Sequence, residues 1–552
     1  MSRWFPGRRY LSLSRSKMTH RQYAARAIPL LFTIALTGLL PQRGVAQEPA
    51  DPLTAAERSD YRQTTRYDEV MDFLREVVGR STGMHLTSMG TTSEGRSIPL
   101  VVVGQVEDPA PETIRASEKT RLYIQGGIHA GEISGKEALL ILLRELASGQ
   151  HAHWADSLIL LVAPLYNADG NERVDPGNRR GQHGPVEGMG QRANAMGLDL
   201  NRDQMKLDAP ESRALVELYS EYDPHLSVDL HTTNGTHHGY HLTYAPPLSP
   251  LTPQEIDGFL RGFWLPAVTE AVKDATGWDM YYYGGARTPR GGGETGWYTF
   301  SHQPRYVSNY IGLRNRFGIL GEAYAYATFQ ERIGISYWFT REIIEYAHSH
   351  STEIAERTAQ ADARTLVGEP LGLRAEAVPS EEPVTILMGE VVREENPVTG
   401  QPMLRRTTTQ VPTPMYDFGT FIPTEMETVP AAYFVPPSLE HVIDLLAAHG
   451  LRTVQVHEAP RGVEVQAFTI DSVATREREY QGHRAQEVWG SYGSPVAMAM
   501  PPGTVMVPMD QPLARVAFAL LEPRSDDGLV AWGLLAGALT AGQPYPILRA
   551  VS

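Results

Sequence analysis

Four short runs, residues 98–103, 122–128, 158–165 and 226–230, are largely apolar, and they constrain this chain more than any other feature. A strand with one face in water alternates apolar and polar residues, whereas a run without that alternation belongs to a strand covered on both faces. Between and after these runs, residues 134–146, 210–222, 253–276 and 333–349 carry the three- and four-residue apolar spacing of covering helices. Residues 56–80 read as a further helix, with Tyr67, Val70, Met71, Leu74, Val77 and Val78 on one stripe. The pattern predicts an α/β domain over residues 56–360, built on a mixed, mostly parallel sheet flanked by helices. After about residue 365 the chain changes to short Pro-, Thr- and Val-rich pieces with one helix near 438–449, which predicts a smaller β-rich accessory domain over 370–552. Candidate linkers are 368–373 and 378–382.

At 552 residues and 42% apolar content the chain is long enough for two or three cores. Its net charge of −15 argues against a nucleic-acid surface and makes any local cluster of arginines conspicuous. There is no cysteine, which excludes disulfides, thiolate nucleophiles and a lipid anchor on Cys, and leaves a metal only His and carboxylate ligands. The first 46 residues read as a signal peptide, with basic residues through Arg26, an apolar run over 27–40 and a cleavage point after Ala46. Met18 is an alternative start. The apolar run is too short to span a membrane comfortably, so a secreted or periplasmic protein without stable membrane insertion is expected.

The chemistry begins at Gly126-Gly127-Ile128-His129-Ala130-Gly131-Glu132, where an apolar run stops at a glycine pair and two metal-type ligands follow three residues apart. A strand end turning into a helix can aim an imidazole and a carboxylate at one point, as a tetrahedral zinc site requires. In this order the Glu is itself a ligand and a distant His is needed. Four further places add to this: Tyr166-Asn167-Ala168-Asp169-Gly170, Asp199-Leu200-Asn201-Arg202, Asp229-Leu230-His231 and Gly321-Glu322. Three of the runs or their successors end in His129, Asn167 and His231, and sites of open α/β sheets gather at such strand ends.

Taken in this order, these motifs resemble the zinc carboxypeptidase family of the carboxypeptidase A type, over roughly residues 60–350, in a secreted bacterial-type form with an extra C-terminal domain. The resemblance implies one zinc per chain, held by His129, Glu132 and His231, with Asp199 orienting His129. It implies Glu322 as the catalytic base. Asn201 and Arg202 would bind the free C-terminal carboxylate of a peptide substrate. An arginine between Asn167 and Asp199 should face the oxyanion; Arg179 is the choice, with Arg180 and Arg192 as alternatives. A substrate-contacting tyrosine is expected upstream of Glu322, at Tyr310, with Tyr298 and Tyr306 as alternatives, and Arg314-Asn315-Arg316 would fall at the side-chain pocket. The chain departs from the family pattern at Ala168, where a Pro is usual, and at Asp203, whose carboxylate would bear on the terminal-carboxylate pocket.

The implied mechanism is hydrolysis of the C-terminal peptide bond by a zinc-activated water, whose pKa falls from 15.7 to roughly 7. Glu322 would take its proton and pass it to the leaving amine. Two other readings keep the scaffold: a zinc amidohydrolase acting on cell-wall stem peptides or N-acyl amino acids, and a catalytically inactive binding protein. No Gly-x-Ser-x-Gly elbow is present to support a serine esterase. The glycines at 284–285 and 291–293 lack the Lys-Ser/Thr ending of a phosphate-binding loop.

Overall fold

All four apolar runs are strands. The computed structural model describes residues 51–551 apart from 234, 289–294 and 457–462. The signal-like segment and the glycines at 291–293 lie outside the described residues. In chain order the first strands are β1 (Met84–Thr91), β2 (Ser97–Val103), β3 (Thr120–Gly126), β4 (Leu158–Ala163), β5 (Leu226–Thr232), β6 (Leu242–Ala245), β7 (Met280–Tyr282), β8 (Gly285–Arg287), β9 (Gly296–Tyr298) and β10 (Phe317–Ala323). Eight of them form one sheet in the order β1-β2-β4-β3-β5-β10-β6-β7. The central strands β4, β3, β5 and β10 run parallel, while β1 and β2 meet their neighbours antiparallel and β6 is antiparallel to β10 and parallel to β7. Every residue of those four central strands is buried, including Ser227 and Asp229 of β5, which alternate with apolar residues.

Helices cover both faces. Ser134–Ala147 and Phe329–Ser349 pack on one core with Leu139, Leu142, Phe339 and Ile343, and Pro210–Glu221 packs on the other with Leu215 and Tyr219. The expected helix over 56–80 is two helices, Ala55–Arg58 and Tyr67–Gly79. The break has a polar cause. Thr64 and Thr65 turn inward, and their hydroxyls donate to the buried Glu137 carboxylate at 2.8 and 2.7 Å, with the Thr65 backbone N–H donating at 2.7 Å. The helix expected over 253–276 is continuous in space but carries a π-type turn, Leu260–Trp264, between Gln254–Phe259 and Leu265–Thr276.

Past the helix Ser351–Ala363 the chain is β-rich. It forms a six-stranded sheet containing Ala432–Val435 and Val505–Pro508, a long hairpin of Val384–Glu395 with Pro402–Met415, and a shorter hairpin of Phe468–Thr475 with Gln486–Tyr492. The helix Glu440–Ala448 matches the one expected near 438–449. Its main core is shared with the first sheet, since Val442, Leu446 and Phe518 belong to the same buried cluster as Leu215, Tyr219 and Tyr310, and a smaller cluster of its own includes Phe434 and Val465. Residues 51–552 accordingly form one compact unit. Among the described residues no helix is long and apolar enough to cross a membrane.

Candidate metal centre

The site grows from the strand order. β3, β5 and β10 are parallel neighbours, so residues at their carboxyl ends share one edge although they lie about a hundred residues apart in sequence. The register pairs Glu322 directly with His231, and Gly126 with Leu230 one residue before it. β3 stops at Gly126 because the next residue, Gly127, has φ +73° and turns the chain. Gly126 itself has no room for a side chain, since a Cβ there would stand 2.8 Å from the backbone nitrogen of Lys136. The turn carries His129 and Glu132 over the sheet edge into the helix Ser134–Ala147.

His129, Glu132 and His231 converge, and among the described residues theirs is the one group with metal-ligand geometry. Nδ1 of His129 lies 3.0 Å from Glu132 Oε1, Nδ1 of His231 lies 2.9 Å from Glu132 Oε2, and the two Nδ1 atoms are 3.2 Å apart. A tetrahedral zinc with bonds of about 2.0–2.1 Å separates its ligand atoms by roughly 3.3 Å, so the trio has the spacing of a zinc site. The other ring nitrogens are committed elsewhere. His129 Nε2 donates to Asp199 Oδ1 at 2.9 Å and His231 Nε2 donates to Asp229 Oδ2 at 2.6 Å. Each carboxylate therefore directs its ring's Nδ1 toward the shared point. All three ligands are at most 3% exposed.

The charges in the site follow from this packing. Burial opposes ionisation of Asp199, but His129 and Arg192 hold its carboxyl well below the ordinary range. Glu132 is likewise held well down against burial, by Arg179 and His129. His231 is raised well above an ordinary histidine despite burial, by Asp229 and Glu132. The anionic surroundings that hold a proton there are those that would hold a cation. Glu322 differs from its neighbours: burial pushes its carboxyl up to about 8, the charge of Glu132 adds to the shift, and His231 and the two arginines act against it.

A cleft of about 270 Å³ opens on the trio and is lined by Arg179, Arg192, Asn201, Arg202, Tyr306 and Glu322, among others. Asn201 N–H donates to Asp199 Oδ1 at 3.0 Å, and its side-chain oxygen accepts from Val307 N–H at 2.9 Å, which fixes the loop. The Arg202 guanidinium lies 4.1 Å from the centre of the Tyr306 ring. Arg179, the expected oxyanion group, reaches the cleft and ion-pairs with Glu132. Arg192, an alternative for that role, also reaches it, with Nε and an NH2 on Asp199 Oδ2 at 2.9 and 2.8 Å and its other NH 3.3 Å from His129 Nδ1. Arg180 is not among the cleft-lining residues.

Tyr310 does not reach the cleft, which corrects its expected role. It is fully buried between the two halves of the chain, where Arg314 donates to its hydroxyl at 3.2 Å and that hydroxyl meets His449 Nδ1 at 2.7 Å. Nδ1 is the acceptor, because Nε2 of the same ring faces the Met205 carbonyl at 3.3 Å. Tyr298 stacks on Phe418 instead, and it is Tyr306, with Tyr283 and Phe300, that gives the cleft its aromatic wall. Arg314 and Arg316 are also structural: Arg314 donates to the His449 carbonyl, and Arg316 pairs with Asp223 and Asp362. Asp203 turns inward onto Lys206 and accepts from Ala209 N–H at 2.9 Å, away from the cleft. Asp229 was the residue that sequence reasoning passed over. Its signal was present, since residues two apart on a strand share a face.

Residues 70–299 match the family model for zinc carboxypeptidases. Carboxypeptidase 2 of Trichophyton rubrum is 25% identical over 516 residues, covering 87% of this chain and 86% of that protein, and carboxypeptidase 2 of Trichophyton tonsurans is similar to the same extent. Coverage that wide takes in part of the β-rich region as well as the first sheet. Among solved structures, the metallo-carboxypeptidase from Burkholderia cenocepacia is similar over 53% of this chain and 71% of its own, at 19% identity and a TM-score of 0.39. The chain is an enzyme whose residues 70–299 belong to the zinc carboxypeptidase family.

Proposed function

We propose that this metallocarboxypeptidase is exported, with residues 1–46 as its signal, and that it removes the C-terminal residue from peptides bearing a free carboxylate, with Glu322 as base. The observation that carries the reading is the convergence of Glu322, the His129–Glu132–His231 trio and Asn201–Arg202 in one cleft. His129, Glu132 and His231 would hold the zinc, which when bound supplies a Lewis acid and an acidified water. Arg202 presents a planar guanidinium, backed by the Tyr306 ring, to the substrate's terminal carboxylate. Glu322 stands buried on the strand beside His231, and its raised carboxyl suits a group that takes a proton from water and returns it to the leaving amine.

Of the two arginines, Arg192 fits the oxyanion role better than Arg179. Asp199 pins Arg192 by two nitrogens and leaves its third facing the ligand cluster, whereas Arg179 is spent on Glu132. Tyr283, Phe300 and Leu320 give the cleft an apolar wall suited to an uncharged C-terminal side chain. The test is zinc content and hydrolysis by the mature protein and by Glu322→Gln, on peptides with free and amidated C-termini. One zinc per chain, release of C-terminal residues only from free-carboxylate peptides, and loss of turnover with zinc retained in the variant are expected. Cleavage of amidated peptides at equal rates would refute the carboxylate-binding role of Arg202, and recovery of unprocessed protein inside the cell would refute export.

A further inference from the structure

The β-rich region reaches the metal centre at the tip of a hairpin. The hairpin of Phe468–Thr475 and Gln486–Tyr492 extends into a loop whose tip, Tyr480 to His483, is a two-residue turn closed by paired backbone bonds of 2.8 and 3.1 Å. Its central residues, Gln481 and Gly482, have φ of +51° and +82°. Gln481 Oε1 accepts a hydrogen bond of 2.8 Å from the backbone N–H of Asp199. We infer that Gln481 is a positioning residue of the metal centre, acting through Asp199 on His129; the inference rests on the carboxypeptidase reading above.

Three observations carry it. The first is what Asp199 does: one side chain orients His129 through Oδ1 and anchors Arg192 through Oδ2, so a displacement of its backbone moves both a ligand ring and a cleft arginine. The second is where Asp199 lies. It belongs to no helix or strand, serving as the cap of the short turn Leu200–Arg202, and thus lacks a ladder to hold its N–H. The third is the turn's own chemistry. A two-residue turn with two positive φ values favours Asn-Gly or Gly-Gly, and a longer side chain at the first position is strained. Gln stands at a position where Gly would be less strained, and its side chain makes the bond to Asp199.

The turn is itself held against the motif it serves. His483 Nε2 lies 2.7 Å from Asp208 Oδ2, and Tyr480 stacks on Trp532 with ring centres 6.1 Å apart. Arg305, which neighbours the cleft residue Tyr306, lies over both rings, at 5.8 and 4.5 Å, and is fixed by Asp527 at 2.8 Å. The β-rich region therefore delivers Gln481 on a braced support, and Gln481 is its sole side chain bonded to an orienting carboxylate residue of the trio among the described residues.

Gln481→Gly isolates the effect, because it removes the carboxamide and keeps a residue that favours positive φ. Zinc affinity is measured by chelator competition, alongside kcat/KM and the Tm of the metal-free protein. The expected result is a loss of about tenfold in zinc affinity, at the low end of what such outer partners contribute, with Tm unchanged or raised. Gln481→Glu, which retains an acceptor of the same reach, should recover part of the loss. Zinc affinity and kcat/KM within twofold of wild type in Gln481→Gly would overturn the inference. A lowered Tm with unchanged zinc affinity would overturn it too, since the turn would then serve stability alone. If the wild type itself binds no zinc or cleaves no peptide, it is the carboxypeptidase reading that fails, and the two failures are distinguishable.

Discussion

Asp229 offers the most searching test of the metal centre, because its whole role is to aim the His231 ring. Its Oδ2 accepts from His231 Nε2 at 2.6 Å and its Oδ1 accepts from Gln125 Nε2 at 3.0 Å, with Asp229 and His231 each 2% exposed. Asp229→Asn keeps the volume and removes the charge. A hydrogen bond to a charged group contributes roughly 1.5–3 kcal/mol and a neutral one about 1 kcal/mol. A second cost follows: if the oxygen of the introduced carboxamide serves His231, its NH2 faces the Gln125 NH2. The Gln125 amide would then have to turn and give up the bond it accepts from the Tyr123 hydroxyl at 2.8 Å. The expected loss is about 1–2 kcal/mol of zinc binding, or about fivefold to thirtyfold in affinity at 1.4 kcal/mol per decade. Chelator competition measures the affinity, and circular dichroism of the metal-free variant checks that it folds. A folded Asp229→Asn protein whose zinc affinity stays within twofold of wild type, while His231→Ala loses zinc, would refute the argument that Asp229 aims the His231 ring.

Other perturbations separate the roles assigned to neighbouring side chains. Arg192→Ala should lower kcat by about 10²- to 10³-fold, the range for losing one oxyanion donor, while Arg179→Ala should act mainly on zinc affinity through Glu132; steady-state kinetics and metal titration of both variants distinguish them. Tyr310→Phe should leave KM unchanged and lower stability by about 1 kcal/mol, since it removes a buried hydroxyl from Arg314 and His449. Tyr306→Ala should instead raise KM for free-carboxylate peptides. Glu522 predicts a pH dependence of stability: burial pushes its carboxyl up to about 7, although Tyr433, Arg549 and Tyr492 act against the shift. A folded value above the unfolded one stabilises below about pH 4.5, and that stabilisation is lost as pH rises through 7. Glu522→Gln should therefore flatten the fall in Tm between pH 4.5 and 7, and a fall as steep as in wild type would count against the assignment.

That His129, Glu132, His231 and Glu322 meet at one sheet edge was legible in the sequence because the constraints on their positions are local. A buried strand that ends in a glycine pair and a His-x-x-Glu announces its own turn, and the strand-end positions of His231 and Glu322 follow from the apolar runs before them. Of the central strands, β3 and β4 were legible for the same reason, since burial on both faces removes alternation from the sequence itself, whereas Leu226-Ser227-Val228-Asp229-Leu230 of β5 alternates and is buried all the same. Where side-chain hydrogen bonds compete with helix formation, as at Thr64 and Thr65, the pattern of apolar residues says nothing, and the helix over 56–80 breaks in two.

What the tertiary structure alone decided is which distant groups meet. Composition and spacing cannot tell Arg179 from Arg192, because the difference is that Asp199 grips one and Glu132 the other. Nor can they tell Tyr310 from Tyr306: both precede Glu322, but the shared core of the two halves of the chain buries the first and leaves the second against Arg202. Arg314 and Arg316 look like a binding pair in sequence and are internal ties in space. Gln481 lies 282 residues from the Asp199 amide it holds. A short-range pattern carries the geometry of a strand end or a turn, but contacts between such distant residues depend on how the chain closes on itself, and no local preference encodes that closure.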